Sequence, residues 1–254
     1  MLKKLFILSL CSFLATPVLA DDITLDADEG VEYHQKEQKL IAKGNAVAKK
    51  KDLSIKADTL IGYYGKDNKN KISRIEAHGN VEMTTPETSA FGDKMIYDVK
   101  KDTAILNGTP AKIKSPEFNI TSKGPITYYQ SQQKAIADSG VEAVDSKGNH
   151  VYADLMTAWF TKDTNNQLVL DKIDIEQNVK ITGKDTTVTA LKGTYNALTE
   201  KIYLYDDVTI IQNGNVLKGS RAETDLKTSI SKILSDGQKG RVSGVFKEKK
   251  KEKE

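Results

Sequence analysis

Gly44-Asn45-Ala46-Val47, then Leu53-Ser54-Ile55-Lys56-Ala57-Asp58, then Tyr63 form the unit from which the rest of the chain is built. The unit opens on a pair of residues that tolerate positive φ, the usual punctuation of β structure. Leu53, Ile55 and Ala57 share one parity, as do Ile75, Ala77, Val81 and Met83 in the next copy. A period of two marks a strand with one buried face. After residue 20 no stretch has helical periodicity.

Working outward, the opening element recurs as Gly79-Asn80-Val81, Gly108-Thr109-Pro110-Ala111, Ser139-Gly140-Val141, Gln177-Asn178-Val179 and Asp206-Asp207-Val208. Counted from Val47, the last positions are 47, 81, 111, 141, 179 and 208, a spacing near thirty residues. A second marker runs in phase: Ala57-Asp58, Gly92-Asp93, Ala153-Asp154, Ala190-Leu191 and Ala222-Glu223. A third is an aromatic four or five residues on, at Tyr63, Tyr97, Tyr128, Trp159 and Tyr195, with Thr224 in the last copy. Three markers with one period predict strands stacked into an elongated, solenoid-like coil, because one repeat cannot bury its apolar face alone. On this reading the Gly-Asn and Asp-Asp pairs supply the turns, and the aromatics form a column that ends at Thr224. The expected class is all-β.

The N-terminus reads as an export signal: Lys3 and Lys4, an apolar run from Leu5 to Leu14, and the small-residue site Val18-Leu19-Ala20, with cleavage expected after Ala20. Residues 1–20 are thus a signal peptide, and the single cysteine, Cys11, lies within them. The run is shorter than the roughly 20 residues that span a bilayer, so an exported chain is expected. The tail 247–254 carries five lysines and three glutamates and reads as a charged, solvated, disordered end. The 254-residue chain has a net charge of only +3, much of it in those two termini, so its body lacks the basic face of a nucleic-acid binder.

Catalytic chemistry needs convergent acids, bases or nucleophiles. The three histidines, His34, His78 and His150, are scattered in sequence, and no pair has metal-ligand spacing. Asp58, Asp93 and Asp154 recur once per repeat. That pattern suits turn and edge chemistry better than a calcium site or a polysaccharide-cleaving β-helix, because Leu191 replaces the acid in the fourth copy. No enzyme, cofactor or metal site is expected.

The ordered series Ile23-Thr24-Leu25-Asp26-Ala27-Asp28, Gly44 to Val47, Leu53 to Asp58, Gly79-Asn80-Val81, Gly92 to Tyr97 and Leu106-Asn107-Gly108 resembles the LptA/OstA-like lipopolysaccharide transport proteins. So does the end, Leu234-Ser235-Asp236-Gly237 and Gly240 to Phe246. The resemblance spans nearly the whole mature chain, with extra repeats over roughly 145–215. It implies a twisted β-jelly roll, two facing antiparallel sheets with a partly open greasy groove, in the periplasm. It divides the chain into an OstA-like part at 21–144 and continuing repeats at 145–246, which either extend the first part as one domain or form a second. The implied ligand is lipopolysaccharide, held by lipid A. The implied partners are inner-membrane LptC-like and outer-membrane LptD-like proteins and further copies stacked head to tail, joined by edge strands near Ile23–Leu25 and Val242–Phe246. Groove candidates from parity and resemblance are Ile23, Leu25, Leu53, Ile55, Ile75, Val81, Met83, Met95, Tyr97 and Leu106. The rival reading is a structural β-solenoid of the cell envelope with a closed core.

Overall fold

The computed structural model describes residues 23–65, 71–116, 118–164, 166, 168–228, 230–235, 237 and 241–247. The expected signal peptide with its cleavage site, and all of the lysine-rich tail but Lys247, lie outside them. All regular structure among the described residues is β. In chain order the strands are β1 (Thr24–Asp26), β2 (Gly30–His34), β3 (Lys39–Lys50), β4 (Leu53–Tyr64), β5 (Ile72–Thr84), β6 (Ser89–Asp98), β7 (Thr103–Asn107), β8 (Ala111–Lys114) and β9 (Phe118–Ser122). Then follow β10 (Ile126–Tyr129), β11 (Lys134–Asp145), β12 (His150–Lys162), β13 (Leu168–Thr182), β14 (Thr186–Asn196), β15 (Lys201–Gln212), β16 (Asn215–Asp225), β17 (Ile230–Leu234) and β18 (Ser243–Val245). All pairings are antiparallel and link the 18 strands into one sheet. The ladder crosses residues 144–150 directly, from β11 to β12.

Each long strand breaks register near its middle, and the β4/β5 and β12/β13 pairs break again near a hairpin end, at Tyr63/Tyr64 and Trp159/Phe160. Between β3 and β4 the shift falls at Lys43/Ala46, between β5 and β6 at His78/Val81, and between β13 and β14 at Glu176/Val179. The sequence pairs sit at these breaks. Gly44 and Asn45 have φ of 80° and 42°, Gly79 and Asn80 73° and 46°, Gln177 and Asn178 63° and 53°. The expectation of positive φ therefore holds, but the pairs are mid-strand corners, and the hairpin turns lie elsewhere. A two-residue bulge with left-handed backbone kinks a strand instead of ending it.

The corners line up across the sheet and divide it into two arms. The β1 arm contains β1, β8, β9, β18 and one half of each long strand; the β2 arm contains β2, β7, β10, β17 and the other halves. Both arms carry a face of deeply buried apolar residues, such as Ile55 and Ile113 on one and Leu60, Met95 and Leu204 on the other, and these belong to one cluster. A single layer covers neither of its own faces, so the sheet is folded along the corner line with the arms facing each other across a shared core.

Packing corrects the register of the sequence markers in two places. In the first copy Ala46, not Val47, is fully buried and equivalent to Val81, Val141, Val179 and Val208. In the last copy the corner falls at Gly219-Ser220, since Val208 pairs with Gly219, while Ala222 pairs with Leu204, one row out from the corner on the β2 arm.

The aromatic column also divides. Cross-strand pairing places Ile75, Tyr97, Ala104, Tyr128, Ala135, Ala158, Ile173, Tyr195, Ile202 and Thr224 in one row on the inner face. Tyr63 and Trp159 stand in the adjacent row, opposite Arg74 and Lys172, on the outer face. A one-residue offset reverses the face of a strand residue. The spacing of four residues from the corner at Tyr97 and Tyr195, against five at Tyr63 and Trp159, produces that reversal.

Candidate functional site

The inner faces of the arms grade from closed to open. At the corner line Val81, Val141, Val179 and Val208 are at most 2% exposed. One row out on the β2 arm, Ala77, Met95, Leu106, Met156 and Leu204 remain buried. Beyond them Ile75, Tyr97, Ile173, Tyr195 and Ile202 are half-buried. On the β1 arm Met83, Ile120, Val151, Ile181, Val188 and Ile210 are half-buried too. The arms therefore enclose a wedge, sealed at the corners and in contact with solvent towards the hairpin ends. Its lining stays apolar from β3 to β16.

The wedge is covered at mid-length. Tyr128 and Leu168 form a second buried cluster with Ala104, Ala135 and Phe160. The Tyr128 and Phe160 rings meet edge to face, 6.4 Å apart at 73°. A bulge on β13 at Asp171, where Trp159 pairs with Lys172 but Phe160 with Leu170, turns Leu170 and Leu168 to the inner face beside Phe160, and the hairpin of β12 and β13 carries Leu168 over its neighbours. Burial pushes the Tyr97 phenol up, and the nearby Asp102 charge adds to that.

Charge is kept on the outer face. Trp159 Nε1 donates to Asp174 Oδ2 at 2.9 Å, where Lys172 Nζ also donates at 2.7 Å, and Thr194 Oγ1 donates to Asp174 Oδ1 at 2.9 Å. Lys134 and Lys172 lie 5.2 and 5.3 Å from the Trp159 ring centre, at cation–π distance. Burial raises the Asp174 carboxyl, but the Lys172, Thr194 and Trp159 donors outweigh it and hold the group below its ordinary value.

The recurring acids act at the corners. Asn80 Nδ2 donates to Asp58 at 3.0 and 3.2 Å, Asn178 Nδ2 to Asp154 at 2.6 Å, Thr109 Oγ1 to Asp93 at 3.2 Å, and Asn45 Nδ2 to Asp28 at 2.8 Å. Each acid thus clamps the corner of the adjacent repeat, which accounts for its period. Each histidine meets a glutamate: His34 with Glu32, His78 with Glu76 and His150 with Glu142, at 2.9, 2.8 and 2.7 Å. Among the described residues no three His, Cys, Asp or Glu side chains converge as metal ligands would.

Nine of the ten residues singled out from sequence lie on the inner face. Leu53, Ile55, Val81, Met95 and Leu106 are buried, and Leu25, Ile75, Met83 and Tyr97 are half-buried. Ile23 departs from this: it precedes β1 and is 49% exposed. Val81 sits where the arms meet, too deep to face the open part of the wedge. The half-buried lining of the later repeats, from Ile120 to Ile210, is not among those ten residues, the last of which is Leu106. The period-two pattern that marks Met83 also marks Ile181, two residues after its corner valine.

The chain matches the family model described as LptA/(LptD N-terminal domain) LPS transport protein over residues 24–134 and 141–230. No curated protein matches it. Among solved structures it is similar to LptH, the LptA-homologous periplasmic component of the lipopolysaccharide transport device from Pseudomonas aeruginosa. That similarity is 12% identity over 90% of this chain and 96% of the other, with a TM-score of 0.23.

Proposed function

Because the chain belongs to the LptA/(LptD N-terminal domain) family of LPS transport proteins, we propose that the wedge between its arms holds the acyl chains of lipid A while the saccharide head stays in water at the open side. The protein would serve in the periplasm as a carrier or bridge from inner to outer membrane.

One observation carries this reading: apolar side chains, most of them half-buried, line the open part of the wedge along both arms, with Leu168 covering Tyr128 at mid-length. Exposing a methylene to water costs about 0.8 kcal/mol, so a chain of a dozen costs on the order of 10 kcal/mol. A continuous apolar lining removes that cost at every point of the path. Transit along it needs no bond chemistry, and an even lining avoids local traps. The work is then supplied by whatever loads lipid at one end. Residues 21–246 act as one unit in this scheme, since the lining does not pause between the earlier and later repeats.

Partners follow from the edges. β1 and β2 end the sheet on one side, β17 and β18 on the other. Among the described residues their outer backbone groups face no further strand, and such edges accept added strands. We assign them to LptC-like and LptD-like partners and to further copies of this chain.

The test is photo-crosslinking in cells from a probe at Ile173 or Met95. Adducts to lipopolysaccharide at Ile173, on the half-buried row, support the carrier. No adduct at any inner-face position would overturn it and favour a closed structural scaffold.

A further inference from the structure

The cross-strand rows define what a second copy would meet at each end. The inner row through Ala42 begins at Val31 on β2 and ends at Ile233 on β17. The adjacent outer row through Ile41 begins at Glu32 and, by way of Glu76, Asp174 and Glu223, ends at Lys232. The β2 arm holds an even number of antiparallel strands, so β17 runs opposite to β2 and would pair antiparallel with the β2 of a following copy. The β1 arm has the same parity, and the row through Leu25 ends at Gly244 on β18.

We propose that copies of this chain join in one fixed register, set by Lys232 of one copy opposite Glu32 of the next while Ile233 meets Val31 on the inner face. The inference rests on the head-to-tail reading given above and adds its specificity. One register alone satisfies both rows. A one-residue slip brings Lys232 to the inner face beside Val31. A two-residue slip leaves Glu32 opposite Ile230 or Leu234 and breaks the apolar row.

The ends are built for this contact. Glu32 accepts from Lys43 Nζ at 2.6 Å and is bonded to His34 at 2.9 Å, so its carboxylate is fixed on the edge strand. Those bonds, first Lys43 and then His34, lower its pKa to about 2, and it stays charged at any physiological pH. Lys232 is exposed next to Glu223, whose carboxylate is already bonded to Lys201 at 2.8 Å. Val31, Tyr33 and Ile230 are 49%, 59% and 54% exposed, apolar surface that the added strand would cover. Opposite charges facing each other across strands stabilise the pair, and like charges destabilise it.

The test uses the whole exported protein in sedimentation across a concentration series. Lys232→Glu alone and Glu32→Lys alone each weaken self-association about three- to tenfold, and the double reversal restores it to within about twofold. In disulfide trapping, Lys232→Cys captures Glu32→Cys in preference to Gly30→Cys or His34→Cys. Unchanged association in the single variants, no recovery in the double variant, equal trapping of the slipped pairs, or a wild-type chain that stays monomeric would each overturn the register. Lipid adducts from Ile173 in the same variants separate the two readings. Adducts that persist while the register fails leave the carrier standing, and adducts missing from every variant remove the carrier alone.

Discussion

At a corner the backbone must take positive φ, and what surrounds it decides how much a side chain costs. Gly44 has φ of 80°, and a Cβ there would lie 2.9 Å from the backbone nitrogen of Glu29 and 2.7 Å from its Cγ. Gly148 has nearly the same φ, 79°, but a Cβ would meet nothing within 4 Å. The pair separates conformational strain from collision. Gly148→Ala is expected to cost about 1 kcal/mol, the price of a left-handed alanine. Gly44→Ala adds the displacement of the segment between β1 and β2, and about 2–3 kcal/mol is expected in all. Urea unfolding of both variants checks this. Equal losses would show that the corner yields freely and that the close approach of Glu29 is not a constraint.

At the scale of elements, the hairpin of β12 and β13 shows how a local irregularity shapes the wedge. Its bulge, an extra Asp171 on β13, turns Leu170 and Leu168 inwards beside Phe160 and leaves Leu168 only 5% exposed over Tyr128. Leu168→Ala removes buried side chain from a small satellite cluster that relaxes more easily than the main core. A loss of about 2 kcal/mol is expected, at the low end for such truncations, with a local rise in amide exchange over 126–136 and 158–170. Exchange rising uniformly along the chain instead would mean that this cluster is integral to the main core. The alternation of Leu53, Ile55 and Ala57, or of Val81 and Met83, was legible in the sequence because a strand with one wet face leaves a period of two. The corners were legible as conformation, since Asn and Gly announce positive φ, but not as topology. A left-handed pair suits a hairpin and a mid-strand kink equally, and only pairing on both sides distinguishes them. The aromatics mislead for a related reason. Tyr97 and Trp159 look equivalent in a repeat that tolerates one residue of slack, while a strand does not tolerate it. The bulge at Phe160 was illegible, because nothing in Trp159-Phe160-Thr161 signals an inserted residue on the facing strand.

For the whole molecule, stability and transport draw on the same inner face at different depths. Val179 and Ile181 lie two residues apart on β13, on the same side of the β1 arm. Val179 is 2% exposed at the corner, whereas Ile181 is half-buried in the open part of the wedge. A lysine at Val179 has no route to water, and burying an unpaired charge costs several kcal/mol. Val179→Lys is therefore expected to prevent folding or to lower stability by more than about 4 kcal/mol. At Ile181 a lysine can extend along the wedge to solvent, so Ile181→Lys is expected to cost about 1 kcal/mol or less. It nonetheless puts a charge into the apolar path, and an acyl chain passing it loses part of its shelter. Because repeats stack in one dimension, the path has no detour around that point. Ile181→Lys should thus leave thermal unfolding nearly unchanged while lipid adducts from probes on the far side of β13 fall several-fold relative to those before it. Equal adducts on both sides would mean that lipid does not travel along this lining. Joint loss of folding and adducts would mean that Ile181 belongs to the sealed core.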